Sequence, residues 1–138
     1  MLISFTNTIF VTNSRILAFN FYVNMIQIYH NSRCGKSRNC VALVEQSEIE
    51  FEVINYLNTP PSFKEMSDIL QKLNIKPIEL VRKKEKIWIE NFKDKKLEDQ
   101  QIIEILISNP LLIERPIVLK GNKAIIGRDL EKVAKFIS

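Results

Sequence analysis

The chain has 138 residues, 46% of them hydrophobic and 26% charged, and a formal net charge of +4. That length suits one domain with a core large enough to fold alone, and the composition excludes a disordered chain. The mild basic excess suits a small anionic ligand at least as well as nucleic acid, which asks for a dense basic face, and no run of about 18 apolar residues is available to span a membrane.

Residues 1–24 differ from the rest: they carry one charge, Arg15, and no Gly or Pro. A signal peptide wants a positive start, an unbroken apolar centre and a small-residue cleavage site. Here Asn20 interrupts the apolar run and the charge lies mid-segment. The expectation is that Met25 is the working start and that 1–24 is a disordered tail or an over-long gene start, leaving 25–138 as a single domain.

From Met25 the elements follow in order. Met25 to His30 is a short apolar strand, and Ser37 to Ser47 has helical spacing at Val41, Leu43 and Val44. Phe51 to Tyr56 alternates and is β-branched, which predicts a second strand. Ser62 with Glu65 three residues on forms a capping box, opening a helix whose apolar face is Phe63, Met66, Ile69, Leu70 and Leu73. Residues 78–81 and 97–108 read as two more helices around a charged stretch, 82–96, expected to be solvated surface. Then come a hairpin, 117–119 and 123–126 about a Gly121-Asn122 turn, and a closing helix with Leu130, Val133, Ala134 and Ile137 on one side. The order β-α-β-α, helical insert, β-β-α predicts a thioredoxin-like α/β fold: a four-stranded mixed sheet with flanking helices and a helical insertion.

The only His and both Cys fall within residues 28–40, "IYHNSRCGKSRNC". Cys34 lies in the loop before the first helix, where the N–H groups of Lys36, Ser37 and Arg38 are free. A helix N-terminus attracts anions and lowers a thiol pKa, and Arg33, Lys36 and Arg38 add charge nearby. One reading is a nucleophilic thiolate, with His30 facing the same loop and helping to hold it. The other is a buried, inert thiol, common for this residue type. A metal site is not expected, because His30, Cys34 and Cys40 lack paired spacing and a fourth ligand. Cys40, six residues on, points away from Cys34 on a helix and is expected to pack in the core, the alternative being a thiol that resolves a disulfide with Cys34. With two cysteines on one predicted helix there is no disulfide framework, and a reducing cytoplasm is the simpler setting. Arg82, Arg115 and Arg128 each stand at an element end. Taken singly they are ordinary surface salt bridges; taken together they suit one pocket for a tetrahedral oxyanion.

The segments "IYHNSRCGKSRN", "YLNTPPS", "LVRKKE", "NPLLIERPIVL" and "IIGRDLEKV", in this order and spacing, resemble the glutaredoxin-coupled arsenate reductases. The resemblance runs from Met25 to the C-terminus. It implies that Cys34 is the nucleophile, that His30 helps to lower its pKa, that Ser37 supports the thiolate, and that Arg82, Arg115 and Arg128 hold arsenate. It implies a cis Pro116 beside the site, glutathione as co-substrate, glutaredoxin as partner, no bound cofactor or metal, and a cytoplasmic monomer that binds neither nucleic acid nor membrane. The same superfamily holds redox-sensing transcription regulators that bind RNA polymerase, but these carry C-x-x-C, and here Ser37 stands at the second position. A family member with the fold and thiol but no arsenate activity is the remaining alternative.

Overall fold

Two short strands begin the structure, β1 (Ile26–His30) and β2 (Phe51–Asn55), paired in parallel with His30 opposite Asn55 at their C-terminal ends. A parallel pair needs a crossover. Helix α1 (Gly35–Gln46) supplies it. The molecule is described here by a computed structural model covering residues 25–138; the expectation for residues 1–24 lies outside the described residues. The hairpin of β3 (Ile117–Lys120) and β4 (Lys123–Ile126) adds antiparallel to β1, giving the sheet order β2-β1-β3-β4. This is the mixed thioredoxin-like sheet expected from the element order.

Successive strand residues face opposite sides of a sheet, so alternation decides which core each one enters. Ile26 and Ile28 of β1 and Val118 of β3 enter one core with Cys40 and Val44 of α1 and with Val133 and Ile137 of the closing helix α5 (Leu130–Ile137). Tyr29, Ile117 and Leu119 enter the opposite, larger core. That core is filled by Met66, Ile69 and Leu70 of α2 (Phe63–Leu73), Trp88 of α3 (Lys86–Asn91), and Ile102, Ile103 and Leu106 of α4 (Asp99–Ser108).

The Ser62 capping box is present in full: Ser62 Oγ accepts from the Glu65 N–H at 3.1 Å and the Glu65 carboxylate accepts from the Ser62 N–H at 3.4 Å. The structure corrects the sequence reading in three places. The charged stretch 82–96 contains α3, which one buried anchor, Trp88, holds to the core; its other apolar residues are too sparse to mark a period. Residues 78–81 form a 3-10 turn, Pro77–Leu80, because Pro77 starts a single tight turn that is not continued. Phe63, Leu130 and Ala134, expected on core faces, are exposed; α2 reaches the core through Met66, Ile69 and Leu70, and α5 through Val133 and Ile137. No helix among the described residues is long and apolar enough to cross a membrane.

Candidate active site

Beyond β1 the chain turns before entering α1. Asn31 organises this turn: its carbonyl accepts from the Cys34 N–H at 3.0 Å, and its side-chain Oδ1 accepts from the Arg33 N–H at 2.9 Å. Cys34 is thereby the N-cap of α1, with extended backbone angles of φ −97° and ψ 120°. Its side chain closes no capping hydrogen bond, so the half-exposed sulfur lies by first-turn N–H groups that have no partner in the helix.

Burial pushes the Cys34 thiol pKa up. The Ser37 N–H, the Arg115 guanidinium and the Lys36 N–H outweigh that and hold it below its ordinary value. Helix-terminal dipoles and a cation both favour the thiolate over the thiol. The loop cations expected to do this act differently: Arg38 Nη1 donates to the Ser32 carbonyl at 3.0 Å, and Lys36 contributes through its backbone. The guanidinium at the sulfur arrives from Arg115, distant in sequence.

His30 and Ser37 meet as expected, but on a different task. His30 Nδ1 lies 2.6 Å from Ser37 Oγ, and that oxygen also accepts the Asn31 N–H at 3.0 Å. Ser37 and Asn31 are both buried. Burial, and then the Arg38 charge, lower the His30 pKa, so the ring stays neutral near pH 7. A neutral imidazole lends no positive charge to the sulfur. Instead it locks Ser37, whose N–H faces the thiol.

The three arginines come together. Val81 and Ile113 form an isolated antiparallel bridge, with the Arg82 N–H donating to the Leu112 carbonyl at 2.7 Å and the Glu114 N–H to the Leu80 carbonyl at 2.9 Å. This stitch sets Arg82 against Glu114 and Arg115. The Arg115–Pro116 peptide is cis, as the resemblance implied. The Gly127 N–H donates to the Pro116 carbonyl at 2.7 Å, which brings Arg128 to the same edge.

Two carboxylates that the sequence reading left out link the guanidinium groups. Glu85 reaches Arg82 at 3.1 Å and Arg115 at 3.9 Å; Glu114 reaches Arg82 at 3.7 Å and Arg128 at 3.8 Å. Arg115 is the most buried of the three, 12% exposed, and its Nη1 also donates to the Leu111 carbonyl at 3.1 Å. Three guanidinium groups against two carboxylates leave the cluster positive beside Cys34, which suits binding and electrostatic stabilisation of an oxyanion. A groove of about 510 Å³ continues from Arg82 and Arg128 past Lys83 and Lys84 to Ile78 and Ile126.

Cys40 stands apart. It is fully buried in the smaller core, where burial alone pushes its thiol up to about 11. Both cysteines are free. Tyr56, Glu85 and Glu114 escaped the sequence reading because a lone Tyr at a strand end and Glu residues in charged or turn segments resemble ordinary core and surface. The "HN" pair before the loop was the one local signal for Asn31.

A model of the ArsC family matches residues 29–136. The uncharacterized protein YfgD of Escherichia coli (strain K12) is 40% identical over 114 residues, covering 81% of this chain and 96% of its own. The arsenate reductase of Neisseria meningitidis serogroup A is 38% identical over 110 residues, covering 78% of this chain and 94% of its own. Among solved structures, an arsenate reductase from Vibrio cholerae superposes with a TM-score of 0.76 at 38% identity, over 80% of this chain and 96% of that one.

Proposed function

Because the chain belongs to the ArsC family, we propose that it is an arsenate reductase that uses the Cys34 thiolate as nucleophile. The observation that carries the reading is the placement of Cys34: an N-cap sulfur with a lowered pKa beside Arg115. In the first step the thiolate attacks dihydrogen arsenate, an S–As bond forms, an As–O bond breaks, and the oxygen leaves as water with the two protons arsenate carried. Arsenic stays in the +5 state. Arg82, Arg115 and Arg128 offset the charge on the remaining oxygens.

Glutathione then attacks the arsenic adduct, displacing hydroxide. Glutaredoxin resolves the mixed species: its thiol and that of glutathione leave joined as a disulfide, having supplied the two electrons that take arsenic to the +3 state. Arsenite is released by water and Cys34 is regenerated. The groove past Lys83 and Lys84 supports this order, since its cations suit the carboxylates of glutathione. The buried position of Cys40 supports a cycle with one enzyme thiol. The proposal sets the protein in the cytoplasm as a monomer with no resident cofactor.

The test is arsenate-dependent NADPH oxidation with glutathione, glutaredoxin and glutathione reductase. Turnover that requires both glutathione and glutaredoxin is expected. No turnover by folded protein with a reactive Cys34 favours a family member of other activity, and turnover with thioredoxin alone replaces the reductant assignment.

A further inference from the structure

Two buried side-chain polar atoms find no hydrogen-bond partner among the described residues: the Tyr56 hydroxyl and the Arg115 Nε–H. Buried polar groups are almost always paired, and each exception asks for a reason. These two share a place. Tyr56 follows β2 at the C-terminal end of the parallel pair, the end at which β1 leads into the Cys34 loop. Arg115 lies beside the Cys34 sulfur. Tyr56 is fully buried, its ring packed in the larger core with Met66, Leu80 and Leu112. Packing fixes the ring, yet the hydroxyl at its tip is left unused.

We propose that Tyr56 is a further oxyanion-binding residue, its hydroxyl donating a hydrogen bond, alongside Arg115 Nε–H, to an oxygen of the tetrahedral oxyanion held at Cys34. This deepens the arsenate reading and rests on it for the identity of that oxyanion. The hydroxyl keeps its proton throughout. Burial raises its pKa; the Arg115 charge and then the polar side chain of Asn31, a neighbour that approaches the hydroxyl without completing a well-formed hydrogen bond, pull it down, the Cys34 charge raises it again, Arg82 pulls it down, and the net direction is up. A tyrosine so placed stays a neutral donor wherever the thiolate is formed. The desolvation cost of an idle buried hydroxyl is offset only when the ligand arrives, which is the signature of a preorganised donor.

The test variant is Tyr56→Phe, which removes the oxygen and keeps the ring. Two readouts are taken beside thermal melting: steady-state arsenate kinetics, and protection of Cys34 from iodoacetamide by arsenate, phosphate or sulfate, followed by peptide mass spectrometry. Deleting an unpartnered hydroxyl is expected to leave the melting temperature equal or raise it, while kcat/KM falls about tenfold or more and the protecting oxyanion concentration rises similarly. The protection assay is independent of turnover. If the wild type is protected by oxyanions but does not reduce arsenate, the arsenate reading fails and Tyr56 is judged on protection alone. Unchanged protection in the variant overturns the inference. So does a lowered melting temperature, which would mean that the hydroxyl is partnered in the free protein, and so does a wild type that no oxyanion protects.

Discussion

His30 Nδ1 lies 2.6 Å from Ser37 Oγ, joining the last residue of β1 to the first turn of α1 across the Cys34 loop. The folded ring protonates below its ordinary value, whereas the unfolded ring protonates at it. Between those two values the unfolded state binds more protons, so stability falls as pH drops through the histidine range. Urea melts from about pH 8 to about pH 5, a window above the carboxylate range, are expected to show this slope in wild type and to show it flattened in His30→Gln. Equal slopes in the two proteins would mean that His30 is not held neutral.

The two thiols are expected to separate cleanly. Cys34 has a lowered pKa, so activity should be retained above that pKa and be lost as pH falls through it. The same depression makes a stability contribution that is present above the unfolded thiol's pKa and is lost as pH falls through the folded one. Cys34→Ser should abolish turnover. Cys40→Ser buries a hydroxyl among Ile26, Val44 and Val133 and should cost about 1–3 kcal/mol of stability while turnover persists. Loss of turnover in a folded Cys40→Ser protein would point to a second catalytic thiol.

Lysine keeps the charge of an arginine and loses its planar fork. Arg115→Lys should have the largest effect of the three guanidinium changes, because Arg115 is the most buried and lies beside the sulfur. A loss of about 2–4 kcal/mol in transition-state stabilisation, read from kcat/KM, is expected there, together with a rise in the Cys34 titration midpoint. Arg82→Lys and Arg128→Lys should lower kcat/KM and leave the midpoint closer to wild type. Arg33 is exposed, and Arg33→Lys serves as the control with little effect. Equal effects at all four positions would dissolve the cluster as an oxyanion site.

Gly127 holds the hairpin against α1 and α5. A methyl group there would meet Val118 Cγ2 at 3.0 Å, Cys40 Sγ at 3.2 Å and Val133 Cγ2 at 3.2 Å. Gly127→Ala should destabilise by about 1–3 kcal/mol, the usual cost of overpacking, and should disturb Arg128 next to it. Chemical denaturation gives the first effect and arsenate KM the second. A variant as stable as wild type would mean that Cys40 and Val133 yield more readily than their packing indicates.

Much of the fold was legible because its signals are local. A short apolar run marked β1, alternation marked β2, Ser62 with Glu65 marked the start of α2, and the Gly121-Asn122 turn marked the hairpin, each within about ten residues of chain. The thiol and its helix N-terminus were legible for the same reason, since Cys34, Gly35 and Ser37 are neighbours in sequence. The source of the positive charge at the sulfur was not. Nearness in sequence pointed to Arg33, Lys36 and Arg38. The pocket of Arg82, Arg115 and Arg128 was expected from their element ends and the resemblance, but that Arg115 is the one at the sulfur follows only from the bridge between Val81 and Ile113 and the bond from Gly127 to Pro116, which bring the three to that edge. The roles of Glu85, Glu114 and Tyr56 also depend on those long-range backbone contacts. Periodicity and capping reflect energies between residues a few positions apart; the electrostatics of a site sum over whatever folding brings within a few ångströms, and only the closed sheet with its stitched insertion decides which charges those are.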